Sequence, residues 1–228
     1  MARPWHIIDR VSTADGVLEL RQRGEHDFLI TVGGLVLMNS SAHRSEVALG
    51  RIACSSLLQK PEPRVLVAGL GMGYTLRAVL DELPESAIVN VAELNPHVVT
   101  WCQGPLAHLT GSAVSDPRVC LEIADVADLI KRGAENGRAE SYDAIILDLY
   151  TGPDSGSHQQ NHPLYGSRAI ERTRSALATG GVFAVWGENR DEGFIQRLES
   201  AGFRVTSERP GRGGLRHVVY LARLPVTH

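Results

Sequence analysis

The chain has 228 residues, of which 43% are apolar and 21% charged, and it carries a formal net charge of -3. That length suffices for one large α/β domain with a complete core, the composition is that of a soluble globular protein, and the charge gives no electrostatic case for binding nucleic acid. No stretch approaches the roughly 20 apolar residues of a membrane span, and the opening MARPWHIIDR lacks the apolar centre of a secretion signal, so a cytoplasmic location without membrane contact is expected.

In chain order, Val17 to Leu20, Phe28 to Val32 and Leu35 to Met38 read as short strands, with Gly33-Gly34 as a two-residue hairpin turn between the last two. A helix is expected from about Ser41 to Leu58, closed by Pro61 and Pro63. Residues 1–60 are thus expected to form an N-terminal β-hairpin region and linking helix, and 61–228 the main domain. From Arg64 onward strands and helices alternate. The strands are Val65 to Ala68, Ile88 to Ala92, Val119 to Ile123, Ala144 to Leu147 and Val182 to Trp186. Between them the spacing predicts helices at Thr75 to Leu83, Pro96 through Trp101, Val126 to Arg132 and Ser167 to Ala178. Near-continuous apolar strands in this alternation imply a parallel sheet covered on both faces. After a helix at Glu192 to Ala201, Phe203 to Ser207 and His217 to Ala222 flank a glycine-rich turn, which predicts an antiparallel hairpin closing the sheet.

The first strand of the main domain runs into Gly69-Leu70-Gly71-Met72-Gly73, followed by a helix. Glycines there permit positive φ and leave no Cβ between the backbone and a ligand lying across the strand ends, at a helix N-terminus suited to a nucleotide-like cofactor. The second strand ends on Glu93, 20 residues after Gly73, where a carboxylate can accept both hydroxyls of a ribose. Asp125 follows the third strand; it either caps the helix beginning at Val126 or faces the ligand. Asp148 directly follows a buried apolar strand, where a carboxylate needs a solvated cleft or a partner.

Beyond these patterns, the segments VLVAGLGMGYTLRAVLD, VAELNPHVV, DPRVCLEIADVADLI, YDAIILDLYTGP and LYGSRAIERTRSALATGGVFAVW together resemble the spermidine synthase family, aminopropyltransferases on the class I AdoMet-dependent methyltransferase fold. The resemblance implies an α/β, Rossmann-like sheet, parallel with an antiparallel C-terminal hairpin, preceded by a small N-terminal β-region through which relatives commonly form homodimers. It also implies that Gly69, Gly71, Met72 and Gly73 line the amino acid end of the cofactor, that Glu93 holds its ribose, that Asp125 and the Val126 backbone meet the adenine, and that Asp148 faces the sulfonium. Three departures accompany the likeness. Where the family places an aspartate in the glycine turn, this chain has Met72; where it places a second aspartate after the fourth strand, Thr151; and Leu37 is nearest to an expected hairpin glutamine. A turn without that acid suits a cofactor that keeps its carboxylate. The expected activity is therefore methyl transfer from S-adenosyl-L-methionine to a small-molecule acceptor. The alternatives are aminopropyl transfer from decarboxylated S-adenosylmethionine, and a non-catalytic homologue that binds a nucleoside or a partner.

For the chemistry, Asp148, Tyr150 and His162 are the catalytic candidates, since a sulfonium is already activated and the protein need only align the acceptor and remove a proton. His43, Glu46, Tyr150, His158, Tyr165 and Trp186 are the acceptor-binding candidates. Exposed loop histidines (His158, His162), helix-surface polarity (His43, Glu46) and a core anchor (Trp186) are the plainer readings beside these roles. No metal is expected: the H-x-x-x-H spacing of His158 and His162 lies in a Gly-, Ser- and Pro-flanked loop, and Cys54, Cys102 and Cys120 are far apart.

Overall fold

A computed structural model describes residues 3–137, 140–150, 152–153, 162–210 and 217–226. Alternating side chains and two glycine turns fold the N-terminal part into an antiparallel sheet of four strands in sequential order: β1 (His6–Thr13), β2 (Gly16–Arg23), β3 (Asp27–Val32) and β4 (Leu35–Asn39). Gly33 and Gly34 have φ of +54° and +84°, as a two-residue hairpin turn requires. β1 is an addition to the predicted strands. Its residues are mostly exposed, so no buried apolar face marks them, and pairing with β2 is what orders them.

The first helix, α1 (Arg44–Cys54), is shorter at both ends than predicted. At its start the Asn39 side chain accepts hydrogen bonds from the backbone of Ser41 and Ala42, at 3.1 and 2.8 Å, and this local turn competes with helix. α1 lies tight against α2 (Tyr74–Glu82) because Gly50 has no side chain. A Cβ there would sit 2.8 Å from the Ala78 Cβ and 2.9 Å from the Thr75 carbonyl oxygen.

The large sheet has seven strands in the order β10-β11-β9-β8-β5-β6-β7. β5 (Arg64–Ala68), β6 (Ile88–Glu93), β7 (Val119–Ile123), β8 (Tyr142–Leu147) and β9 (Leu177–Gly187) are parallel, while β11 (Val218–Arg223) runs antiparallel between β9 and β10 (Arg204–Glu208). β9 begins five residues before its predicted start. Leu177 pairs with Tyr142, an irregularity around Gly180 (φ +75°) follows, and regular pairing resumes at Val182. That pairing ends α5 (Ser167–Ala176) short of its predicted length.

The period of two along the central strands divides the core. Val65, Val67, Ala144, Ile146, Val182 and Ala184 face α1, α2 and α3 (Pro96–Gln103), together with Leu20 and Phe28 of the N-terminal sheet. Leu66, Ala68, Ile145, Leu147, Phe183 and Val185 face α4 (Val126–Asn136), α5 and α6 (Glu192–Ser200). Among the described residues no helix is long and apolar enough to cross a membrane.

Candidate active site

Three positive φ values make the turn after β5: +83° at Gly69, +52° at Gly71 and +83° at Gly73. Gly69 is held by a close approach as well, since a Cβ there would lie 2.2 Å from the Asp148 carbonyl oxygen. Gly73 begins α2, which has no side-chain cap and no acidic residue in its first turn. The first N–H groups of that helix are therefore donors without an intrahelical or capping partner, at the positive end of the helix dipole. Met72 differs from expectation. Its side chain is fully buried in the core, so only its backbone faces the turn. The Met72 N–H donates to the Sδ of Met38 on β4, at 3.2 Å, which places a thioether over the glycines.

Three carboxylates stand at the C-terminal ends of the parallel strands, where open α/β sheets bind ligands. Glu93 accepts from the Leu70 N–H at 2.9 Å and the Asn95 N–H at 2.8 Å, tying the end of β6 to the glycine turn. Each oxygen retains a second lone pair for a hydroxyl. Asp125 is exposed and caps α4 through Oδ1, which accepts from the Ala127 N–H at 2.9 Å; its other oxygen has no partner among the described residues. The cap and the ligand role are thus compatible within one side chain. Leu94 (70% exposed) and Ile123 (50%) flank these acids at the ends of β6 and β7, presenting apolar surface suited to a planar ring.

Asp148 has the most unusual environment. Burial pushes its carboxyl up to about 7; a hydrogen bond from the Thr75 hydroxyl acts in the opposite direction, and the nearby Glu46 carboxylate adds to the rise. Thr75 lies 3.3 Å from the Glu46 carbonyl oxygen as well, so its hydroxyl can turn there whenever Asp148 holds a proton. Glu46, on α1, is itself buried and accepts from the Ser45 hydroxyl at 2.6 Å. Ser45 is 3.1 Å from Nδ1 of His217, whose ring packs on Trp186 with centroids 4.7 Å apart. The strand period explains this convergence. Asp148, Trp186 and His217 continue the alternation of Ile146, Ala184 and Val219, which puts all three on the face that α1 covers.

Other expected site residues fall elsewhere. His43 is stacked on Tyr74 at 4.1 Å, with Nδ1 2.9 Å from the Ser40 carbonyl, a packing arrangement near the start of α2. Tyr150 is 57% exposed just beyond Asp148. Tyr165 is a correction: it is 1% exposed, belongs to the core on the opposite face and packs edge-on against Phe194, so it is withdrawn from any acceptor. His162 is withdrawn too. Its Nδ1 accepts from the Leu164 and Tyr165 N–H groups at 3.3 and 3.2 Å, and its ring stacks on Tyr165. His158 and Thr151 lie outside the described residues. Sequence reasoning missed Ser45, Thr75, His217 and Met38. Thr75 carried a signal, a hydroxyl two residues after the last turn glycine, whereas Met38, Ser45 and His217 became neighbours only through tertiary packing. A separate cavity of about 350 Å³ near Arg174, Leu177 and Leu224 lies at the opposite end of β9.

No protein-family model matches the chain. A polyamine aminopropyltransferase of Saccharolobus islandicus is 35% identical over 124 residues, 54% of this chain and 38% of that protein. Spermidine synthase from Thermotoga maritima superposes with a TM-score of 0.73 at 19% identity, over 97% of this chain and 74% of its own. The chain is thus similar to spermidine synthases in its fold, which is class I methyltransferase-like. The chain spans about two-fifths of the length of the polyamine aminopropyltransferases of Saccharolobus islandicus that it matches (38%). Human methyltransferase-like protein 13, solved in complex with SAH, superposes with a TM-score of 0.57 at 25% identity, over 81% of each chain.

Proposed function

We propose that the chain transfers a methyl group from S-adenosyl-L-methionine to a small acceptor. The observation that carries this reading is the start of α2: an N-terminus without a cap or an acid, opening from three left-handed glycines, with Met72 turned into the core. Such a site offers N–H donors to a carboxylate, and the first turn of α2 carries no acid of its own to repel it. When bound, the cofactor supplies a methyl group already activated by its sulfonium. The turn would hold the carboxylate, Glu93 the ribose hydroxyls and Asp125 the adenine amino group, with Leu94 and Ile123 against the ring. Asp148 and Glu46 would face the acceptor, where an acid that holds a proton near neutral pH suits proton transfer. The likeness to a methyltransferase-like protein solved with SAH supports this reading.

A second reading is aminopropyl transfer from decarboxylated S-adenosylmethionine. It is favoured by the match to a polyamine aminopropyltransferase and by the Glu46 carboxylate beside Asp148, whose negative charge would draw a cationic amine. Titration calorimetry separates the two. Methyl transfer requires micromolar or tighter binding of S-adenosylmethionine and S-adenosylhomocysteine; tight binding of decarboxylated S-adenosylmethionine or methylthioadenosine alone would establish the second reading, and no binding of any of them would remove both. Pairing of two copies through the N-terminal sheet also belongs to this proposal, supported by exposed Ile7, Ile8, Leu35 and Val36. A monomeric mass by light scattering would refute the pairing.

A further inference from the structure

Resting on that transferase reading, we propose that His217 is the proton acceptor for the incoming nucleophile, its tautomer set by a relay through Ser45 to Glu46. The relay follows from proton counting. The Ser45 hydroxyl has one hydrogen, and the carboxylate of Glu46, 2.6 Å away, can only accept. The contact of 3.1 Å between Ser45 Oγ and His217 Nδ1 is then a hydrogen bond in which Nδ1–H donates to the hydroxyl oxygen. Neutral His217 is thereby protonated at Nδ1, and its lone pair is on Nε2, which has no hydrogen-bond partner among the described residues. Ser45 and Glu46 are buried at 6% and 8% exposure, so little solvent competes with the relay.

Position supports the role. His217 leads into β11 beside the end of β9, on the sheet face of Asp148, and the Trp186 ring is tilted against it. The indole N–H of Trp186 is buried without a partner among the described residues, a donor for an acceptor molecule. Among the described residues, the Glu46 carboxylate that ends the relay also acts on Asp148 after β8 and on Tyr74 of α2. As the acceptor's lone pair forms its bond to the transferred carbon and the carbon–sulfur pair leaves with sulfur, the acceptor's proton passes to Nε2. The resulting imidazolium keeps Nδ1–H on Ser45, with the Glu46 carboxylate one hydrogen bond further on to balance its charge. His217 thus supplies a base at the start of β11, one strand beyond β9 from the end of β8.

Nitrogen-15 NMR of the 228-residue chain, without any ligand, reads the relay directly. The expected spectrum has His217 protonated at Nδ1 at pH 8, shifting toward the Nε2–H form in Ser45→Ala; an Nε2–H tautomer in the unaltered protein would overturn the proposal. Turnover is then measured with S-adenosylmethionine and with decarboxylated S-adenosylmethionine, using 1,4-diaminobutane and a panel of small primary amines as acceptor probes. His217→Gln should lower kcat by about 100-fold or more and leave the S-adenosylhomocysteine Kd unchanged. Added imidazole should restore part of the rate to His217→Gly. Full kcat in His217→Gln would also overturn the proposal. Absence of turnover in the unaltered protein with every probe counts against the transferase reading, and the tautomer then decides the relay.

Discussion

Replacing Asp148 by asparagine separates the cost of its carboxylate to the fold from its use in the site. Its pKa rises from an ordinary 3.8 to about 7, chiefly because burial disfavours the charged form. Between those two values the unfolded chain has released its proton while the folded chain retains it. Folding stability therefore falls as pH rises through that window, by about 1.4 kcal/mol per pH unit, toward a ceiling of roughly 4 kcal/mol above pH 7. Asparagine is neutral throughout, matches the protonated acid in shape and leaves the Thr75 hydroxyl free to turn to the Glu46 carbonyl. Asp148→Asn should accordingly match the parent near pH 4 and exceed it in stability at pH 8, by as much as several kcal/mol, while losing transfer activity. Urea denaturation at pH 4.5, 6 and 8 measures the difference. A stability difference between the two proteins that stays flat with pH would refute the reasoning.

Gly69→Ala combines a φ of +83° with a Cβ placed 2.2 Å from a backbone oxygen, and should destabilise the protein by about 3 kcal/mol or more; a denaturation midpoint close to the parent's would contradict the tight approach of Asp148. Asp125→Ser keeps an oxygen to cap α4 and removes the second acceptor, so the melting temperature should hold within about 2 °C while affinity for S-adenosylhomocysteine drops roughly 10-fold; unchanged affinity would leave Asp125 a cap alone. Burial pushes the thiols of Cys54 and Cys102 up to about 12, whereas Cys120 is exposed. Ellman's reagent at pH 8 should therefore label one thiol per native chain and three after denaturation, and rapid labelling of more than one would show that the core opens.

The sequence made legible the order of strands and helices in the main domain, the glycine turn and the acids at the strand ends. Those features are local: an apolar run, a left-handed glycine and a carboxylate one residue past a strand need no distant partner to be recognised. It also contained the likeness to spermidine synthases, because the same local features recur in the same order. It did not show β1, whose exposed residues are ordered by β2, nor the true ends of α1 and β9, which a side-chain turn at Asn39 and pairing with Tyr142 decide. The site divided along the same line. Glu93, Asp125 and Asp148 were legible from position, but Tyr165 faces the opposite core and the His162 Nδ1 is engaged by backbone, outcomes set by how α5 and its approach pack. The meeting of Ser45 and Glu46 with His217, more than 170 residues away, belongs to tertiary structure alone. It arises because a strand reached from the far end of the chain returns antiparallel beside β9, under the helix that the absent side chain of Gly50 allows to settle there.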